Sequence, residues 1–382
     1  MQDVQLWGNS VKFVRWEDLK CGMRLARPIY SRSGVLLHDR DAKLTEGSIR
    51  SVRNFGLLGI YILEPAEPLP PMSEEDLAFE KFEITTVAAL QEEIARLIKF
   101  KKQNKLQVIV SQIIRQYGHL EGKIHFYQNL RSKDDYVFRH MFNTAILCTM
   151  MGRRMNLTVE DRQLLVTAAL LHDIGKVGTK NTAVFGGEND KGKIADLYED
   201  AIFGCELIEQ CFNADGVKLK RICQQALKAQ MAADLGQESE VRKMVKEAKI
   251  LQVANKFDEI TGMSLTGESL SEVKAVTEFM DNPGIYDPEA VRALIDSIYI
   301  LFPGVSVELN TGEKALVINE NPDNILKPTV ISFRRNTIMM LSDRDYHDIR
   351  VTDIMKTLDN RYVMDKNAMQ SAGISNSDIN VP

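Results

Sequence analysis

No apolar run in this sequence approaches the roughly 18 residues that cross a bilayer as a helix. The opening MQDVQLWGNSVKF has neither the basic head nor the apolar stretch of a secretory signal, so the expected location is cytoplasmic, with no membrane partner. Cysteine is scarce: Cys21, Cys148, Cys205, Cys211 and Cys223 are odd in number and form no C-x-x-C pair. That excludes a disulfide framework and points to free thiols, most of them buried, in a reducing compartment. An excess of basic charge is missing too. Against 48 Lys and Arg stand 53 Asp and Glu, a formal charge of −5, which argues against DNA or an anionic membrane surface as the main partner. The lysines at 99, 101, 102 and 105 read as a solvated helix face. No G-x-x-x-x-G-K-[ST] or G-x-G-x-x-G stands at a strand–helix junction, and no G-x-S-x-G occurs. P-loop, dinucleotide and nucleophile-elbow chemistry are thereby excluded. There is no internal repeat.

What is present is ordinary globular material. Hydrophobic residues make up 44% of the 382 and charged residues 26%, enough for two or three domains at about 150 residues each. Residues 1–64 read as a small α+β module. Its strand-like runs are 24–30 and 35–37, with a turn at Ser33-Gly34. A helix follows from Thr45 to about Gly56, and a strand returns from Gly59 to Leu63. Residues 65–73, with Pro65, Pro68, Pro70 and Pro71, form a linker, because proline at that density continues neither helix nor central strand. Residues 74–132 carry helical periodicity, as in Leu90, Ile94, Leu97 and Ile98.

The longest helical region is 133–300. Asp134 or Asp135 is expected to cap a helix running to about Met155. Thr158 with Asp161 resembles a capping box for a second helix, which runs to about Ile174 with Gly175 as its C-terminal cap. A glycine-rich loop is expected over 179–193, and helices over 196–211, 217–235 and 238–260. Residues 301–365 read as a small β module. Val305, Val307 and Leu309 alternate, Asn310-Thr311-Gly312 turns the chain, 315–319 answers, and 329–333 adds a strand. A polar tail occupies 366–382. The expected fold is therefore mainly α, a helical domain between two small modules.

The chemistry concentrates in ALLHDIGKVG, residues 169–178. His172 and Asp173 end an apolar helix, and adjacent side chains about 100° apart can share one ion at its mouth. Such an N/O donor set suits iron, manganese, zinc or magnesium. Lys176 would place a positive charge near a phosphate oxygen. His140, on the apolar helix before it, is a further donor if the fold brings a partner to it. The same two letters at His38-Asp39 and His347-Asp348 lack this context and read as surface pairs. His119 and His125 flank Gly122 in a polar joint and are expected to be exposed.

His140, His172-Asp173 and Gly175-Lys176 together resemble the start of the HD phosphohydrolase superfamily, most closely its HD-GYP branch. That branch hydrolyses cyclic di-GMP at a metal centre. The N-terminal segment DLKCGMRLARPIYSRSGVLLHDRDAKLTEGSI resembles the small domain that often precedes it. LFPGVSVELNTGEKALVINENPDNILKPTV resembles the β extension that often follows. The resemblance implies an all-helical HD domain, a metal centre, a cyclic dinucleotide ligand, a protein partner in a signalling pathway, and pairing into a homodimer through residues 85–130; the donors that remain in this sequence leave one bound divalent metal or none. Metal donors would be His140, His172 and Asp173, with Asp200 and Asn255 as weaker candidates. Asp173 and Lys176 would do the catalytic work.

Departures from the pattern bear on activity. Asp200 stands where the branch carries a histidine, four residues before Gly204. The HHExxDGxGYP signature is absent; the chain there reads ICQQALKAQMAADLGQES. In QVANKFDEIT, Asn255 stands in place of the closing aspartate. The stripe Val241, Val245, Ala248 and Leu251 continues to Asn255 and turns it inward, where it offers only a neutral oxygen to a hard cation. Asp258, nearly one turn on, would substitute if the helix were rotated. A two-metal site lacks its donors. Three readings follow: a regulatory protein with little or no cyclic di-GMP hydrolysis, a metal-dependent phosphohydrolase, or a nucleotide sensor that does not cleave.

Overall fold

The computed structural model describes residues 10–355, except 27, 31–35, 40–41, 56, 58, 65–73, 127, 129–130, 133, 179–190, 236, 238–240, 263–268 and 336. The proline-rich linker, most of the glycine-rich loop and the C-terminal tail therefore lie outside the described residues, as does the Ser33-Gly34 turn.

At the N-terminus lie β1 (Ser10–Arg15), β2 (Arg24–Leu25), β3 (Ile29–Tyr30), β4 (Leu36–His38), α1 (Glu46–Asn54) and β5 (Gly59–Glu64). The expected strand over 24–30 is split into β2 and β3, and β1 is an additional strand. Thr45 caps α1 as expected, its hydroxyl accepting from the Ser48 amide. The antiparallel order β1-β5-β2 buries Val14, Leu25, Ile60 and Ile62 with Val52 of α1 in a core of its own.

The helices are α2 (Glu74–Phe100), α3 (Leu106–Tyr117), α4 (Tyr136–Arg154), α5 (Val159–Leu171), α6 (Ile174–Gly178), α7 (Lys191–Cys211), α8 (Asn213–Asp234), α9 (Lys246–Thr261), α10 (Glu272–Asp281) and α11 (Pro288–Ile295). From His140 to Gly152 every residue of α4 is buried. A helix apolar on all sides must be central, and α4 is wrapped by α5, α9, α11 and α3. Thr158 caps α5 as expected, accepting from the Asp161 amide at 3.1 Å. Asp135 precedes α4 without capping it. Its carboxylate instead accepts from the Ser132 amide and from Arg139 Nε at 2.7 Å.

Two boundaries differ from expectation. The helix expected from 238 begins at Lys246, with Val241 on a separate short turn. Gly175 is no C-terminal cap, since α5 stops at Leu171 and Gly175 lies inside α6. A Cβ there would sit 1.8 Å from the Asp200 carbonyl oxygen, and one on Gly204 would sit 2.8 Å from the Gly175 nitrogen. Paired glycines thus let α6 and α7 cross backbone against backbone, a contact that a side chain would prevent.

The C-terminal strands β6 (Ser306–Leu309), β7 (Lys314–Asn319), β8 (Thr329–Ser332), β9 (Ile338–Met340) and β10 (Val351–Ile354) form an antiparallel sheet in the order β10-β6-β7-β8-β9. Strands β9 and β10 go beyond the expected three. The sheet buries Val307, Leu309, Val317, Val330 and Met339 in the same core as the helices. The fold is mainly α with small sheets at either end. Among the described residues no helix is long and apolar enough to cross a membrane.

Candidate metal centre

Three chain segments converge at one end of α4. His140 lies in its second turn, His172 and Asp173 occupy the reversal between α5 and α6, and Asn255 projects from α9. Seven consecutive buried residues, Leu165 to Leu171, fix the end of α5 in the core. The glycine-mediated crossing of α6 and α7 holds the other side of the reversal.

The ring nitrogens His140 Nε2 and His172 Nε2 face each other at 3.3 Å. Asn255 Oδ1 is 2.8 Å from each of them, and Asp173 Oδ2 is 3.7 Å from each. Lys176 Nζ donates to Asp173 Oδ2 at 2.7 Å. These groups are nearly closed to solvent, with side-chain exposures of 2% for His140, 10% for His172, 6% for Asp173 and 12% for Lys176, and Asn255 is half-buried.

Each converging side chain is held from behind. His140 Nδ1 donates to Asp258 Oδ2 at 2.7 Å, because an ionised carboxylate can only accept. His172 Nδ1 donates to the Ala169 carbonyl at 2.8 Å. Both rings therefore spend Nδ1–H outward and turn Nε2 inward, the arrangement that orients metal-binding imidazoles. Asn255 Nδ2 donates to Glu259 Oε1 at 3.1 Å, so the amide oxygen faces the rings.

Asp258 belongs to a second layer, not to the cluster. Arg131 Nη2 donates to both its oxygens at 2.8 and 2.7 Å, and Asn143 Nδ2 to Oδ1 at 2.9 Å. Both partners of the ion pair are fully buried, and the Arg131 guanidinium lies 5.1 Å over the Tyr136 ring. The alternative in which a rotated helix puts Asp258 in place of Asn255 is not what is found: Asn255 faces the rings, and Asp258 sits on the outer nitrogen of His140, paired with Arg131.

These surroundings set the charges. Burial alone would lower the His140 pKa, but the hydrogen bond to Asp258 and its charge raise it above the ordinary histidine value. Burial lowers that of His172, against the pull of Asp173. Burial works to raise the Asp173 carboxyl, yet Lys176 and then the two histidines hold it well below the usual carboxylate range.

The residues fit a divalent metal ion on the chemistry of the donor set: two imidazole nitrogens, one carboxylate and one amide oxygen converge with their hydrogens directed elsewhere. His140, His172 and Asp173 offer ligand atoms that all lie within 4.8 Å of one another. Asp200 is buried but is not part of that group, and its Oδ2 has no hydrogen-bond partner. Its main contact with the site is structural, through the backbone packed on Gly175.

A cavity of about 320 Å³ opens beside the cluster, reached by His172, Asp173, Lys176 and Asn255. Helix α8, where the HHExxDGxGYP signature would fall, contributes Cys223, Ala226, Leu227, Gln230 and Asp234 to its wall. Cys148, Cys205 and Cys223 are buried free thiols, and burial pushes Cys205 up to about 11, so none is a ready thiolate. His125 departs from expectation: it is half-buried, stacked on Tyr299 at 4.6 Å and edge-on to Phe302. His119 and His347 are exposed as expected, and His38 is half-buried.

A model of the HD domain matches residues 137–260, the span from α4 to the end of α9 that carries the whole cluster. Residues 137–260 are an HD domain. This HD protein is 21% identical over 215 residues to a cyclic di-GMP phosphodiesterase of Pseudomonas aeruginosa. The match covers 53% of this chain and 49% of that protein, so the chain spans about half the length of the curated relative. Among solved structures it is similar to an HDG"Y"P protein from Bdellovibrio bacteriovorus, at 13% identity and a TM-score of 0.41, over 75% of this chain and 98% of that one.

Sequence reasoning found the cluster and missed its supports. Arg131, Asn143, Gln128 and Glu259 went unnoticed. Two carried a signal: Asn143 is three residues after His140 and Glu259 four after Asn255, spacings that share a helix face. Arg131 and Gln128 lie outside the regular helices and carried none.

Proposed function

We propose that this HD-domain protein is a signalling or regulatory protein of the HD-GYP type that holds a single divalent ion and has little or no cyclic di-GMP phosphodiesterase activity. One observation carries the reading: at the position of the closing carboxylate, Asn255 brings a neutral oxygen to the two histidines. A single ion would be held by His140, His172, Asp173 and Asn255, and when bound would lower the pKa of a coordinated water. The wall of α8 adds amide, thiol and methyl groups beside them and a carboxylate, Asp234, whose oxygens accept from Tyr198 and Gln230. Among the described residues no second donor set is offered there for the two-ion clamp that stabilises both attacking and leaving oxygens.

A second reading is favoured by the Asp173–Lys176 pair at the cavity, which places a carboxylate and an ammonium together where a phosphate ester would enter. In that reading the protein is a phosphohydrolase, Asp173 orienting water and Lys176 stabilising phosphate charge. One assay separates the two. Protein loaded with Mn²⁺ or Fe²⁺ is incubated with cyclic di-GMP, and linear and mononucleotide products are counted. The regulatory reading expects no product above a protein-free blank. Turnover that disappears in His172→Ala would overturn it in favour of the hydrolase.

A further inference from the structure

A short stretch outside the regular helices ties the metal centre to the N-terminal sheet. An isolated antiparallel bridge pairs Leu57, just before β5, with Ser132. Within β5, Ile60 and Ile62 face the core of that sheet, so Tyr61 points to the opposite side, as alternate strand residues do. There its phenol is close enough to act electrostatically on the Arg131 guanidinium. Ser132 is in turn locked to the start of α4. Its amide donates to Asp135 Oδ1 at 2.6 Å, and its hydroxyl accepts from the Asp135 amide at 3.3 Å. Residues 131 and 132 therefore stand between the N-terminal sheet and the helix that carries His140.

The grip of Arg131 on the centre is narrow. One nitrogen, Nη2, makes both bonds to Asp258, at 2.8 and 2.7 Å, and a third to Gln128 Oε1 at 3.0 Å. Nε and Nη1 are buried without a hydrogen-bond partner among the described residues. The guanidinium has little room to turn, since even a Cβ on Gly262 would meet Nη2 at 2.7 Å. A shift of about 1 Å in this stretch would carry both Asp258 bonds past hydrogen-bonding distance. Asp258 would then lose the partner that holds it against His140 Nδ1, and the ring would lose the constraint that turns Nε2 inward.

We infer that the N-terminal sheet regulates ion binding: seated on Ser132 it keeps Arg131 on Asp258 and the His140 ring in its binding orientation, and displaced it lowers the affinity of the cluster. The inference rests on the single-ion reading and adds a control to it. Arg131 is a positioning residue, acting on the ion only through Asp258 and His140. A ligand or partner that draws the N-terminal sheet away from Ser132 would thus release the metal. Coupling of this kind is typically about 5–150-fold in affinity, and it is reciprocal, so a bound ion must hold the sheet in place by the same factor.

The test uses the full chain and Mn²⁺. Tyr61→Arg sets a second guanidinium against Arg131 and should weaken Mn²⁺ binding at least about fivefold in calorimetry, although residue 61 is no part of the cluster. Thr45→Ala removes the cap of α1 and so weakens the same N-terminal unit without touching the contact. Its Mn²⁺ affinity should stay that of the wild type. In the wild type, Mn²⁺ should slow amide hydrogen exchange at Leu57 and along β5, read by mass spectrometry. Unchanged affinity in a folded Tyr61→Arg, an equal loss in Thr45→Ala, or exchange along β5 indifferent to Mn²⁺ would overturn the inference and leave the single-ion reading standing. Should Tyr61→Arg fail to fold, the exchange measurement on the wild type decides alone. A wild type that takes up no Mn²⁺ would sink the single-ion reading first, and this inference with it.

Discussion

At position 255 an amide oxygen lies 2.8 Å from two imidazole nitrogens, where an aspartate would bring a full negative charge. Hard cations are held more tightly as the ligand charge rises. Asn255→Asp should therefore raise Mn²⁺ affinity at least tenfold, read by calorimetric titration. Without metal the same change should lower the melting temperature, since it sets a second carboxylate beside Asp173. Behind His140, Arg131 and Asp258 form an ion pair with no solvent exposure on either side. Removing one partner of such a pair leaves an uncompensated buried charge, so Arg131→Met should cost about 3–5 kcal/mol in urea unfolding. A loss below 1 kcal/mol would show that Asp258 has found another donor. How much of this was legible follows from the residues themselves. His172 and Asp173 stood out by their place at the end of an apolar helix, whereas His140 and Asn255 were marked as donors by the resemblance to the HD-GYP branch. Arg131 did not stand out, because a buried arginine outside any helix has no periodic signature, and the role of Asp258 behind His140 could not be read without knowing that partner.

Elements were read from periodicity wherever one face is apolar, and misread where another constraint set the end. The expectation of a cap at Gly175 followed the usual habit of glycine after a helix. The glycine is instead needed for a backbone crossing, which depends on Asp200 and Gly204 some 25 to 29 residues later in the chain. Gly175→Ala would thrust a methyl group into the Asp200 carbonyl. It should destabilise by at least the ~1–3 kcal/mol typical of overpacking, and it should also loosen the reversal that carries His172 and Asp173. A thermal melt and a Mn²⁺ titration on the same variant check both effects. Likewise β9 and β10 escaped the sequence: β9 is only three residues long, though it pairs with the neighbouring β8, and β10 pairs with β6, a strand distant in the chain. Thr45 and Thr158, whose capping is local, were legible in full.

Across the whole molecule, the two small β units relate differently to the helices. The N-terminal sheet and α1 close a core of their own. The C-terminal sheet shares its core with the helices through Val307, Leu309, Val317 and Val330. Deleting residues 303–382 should therefore expose the face of α10 that packs on β10 and abolish cooperative thermal unfolding of the remainder, followed by circular dichroism at 222 nm. Retention of a sharp transition would mean that the helices close without the sheet. The central claim, one ion held by His140, His172, Asp173 and Asn255, is tested most directly by counting metal. Protein saturated with Mn²⁺, freed of excess and measured by elemental analysis should hold one ion per chain, lost in His172→Ala. Two ions per chain, none, or one that survives His172→Ala would contradict it.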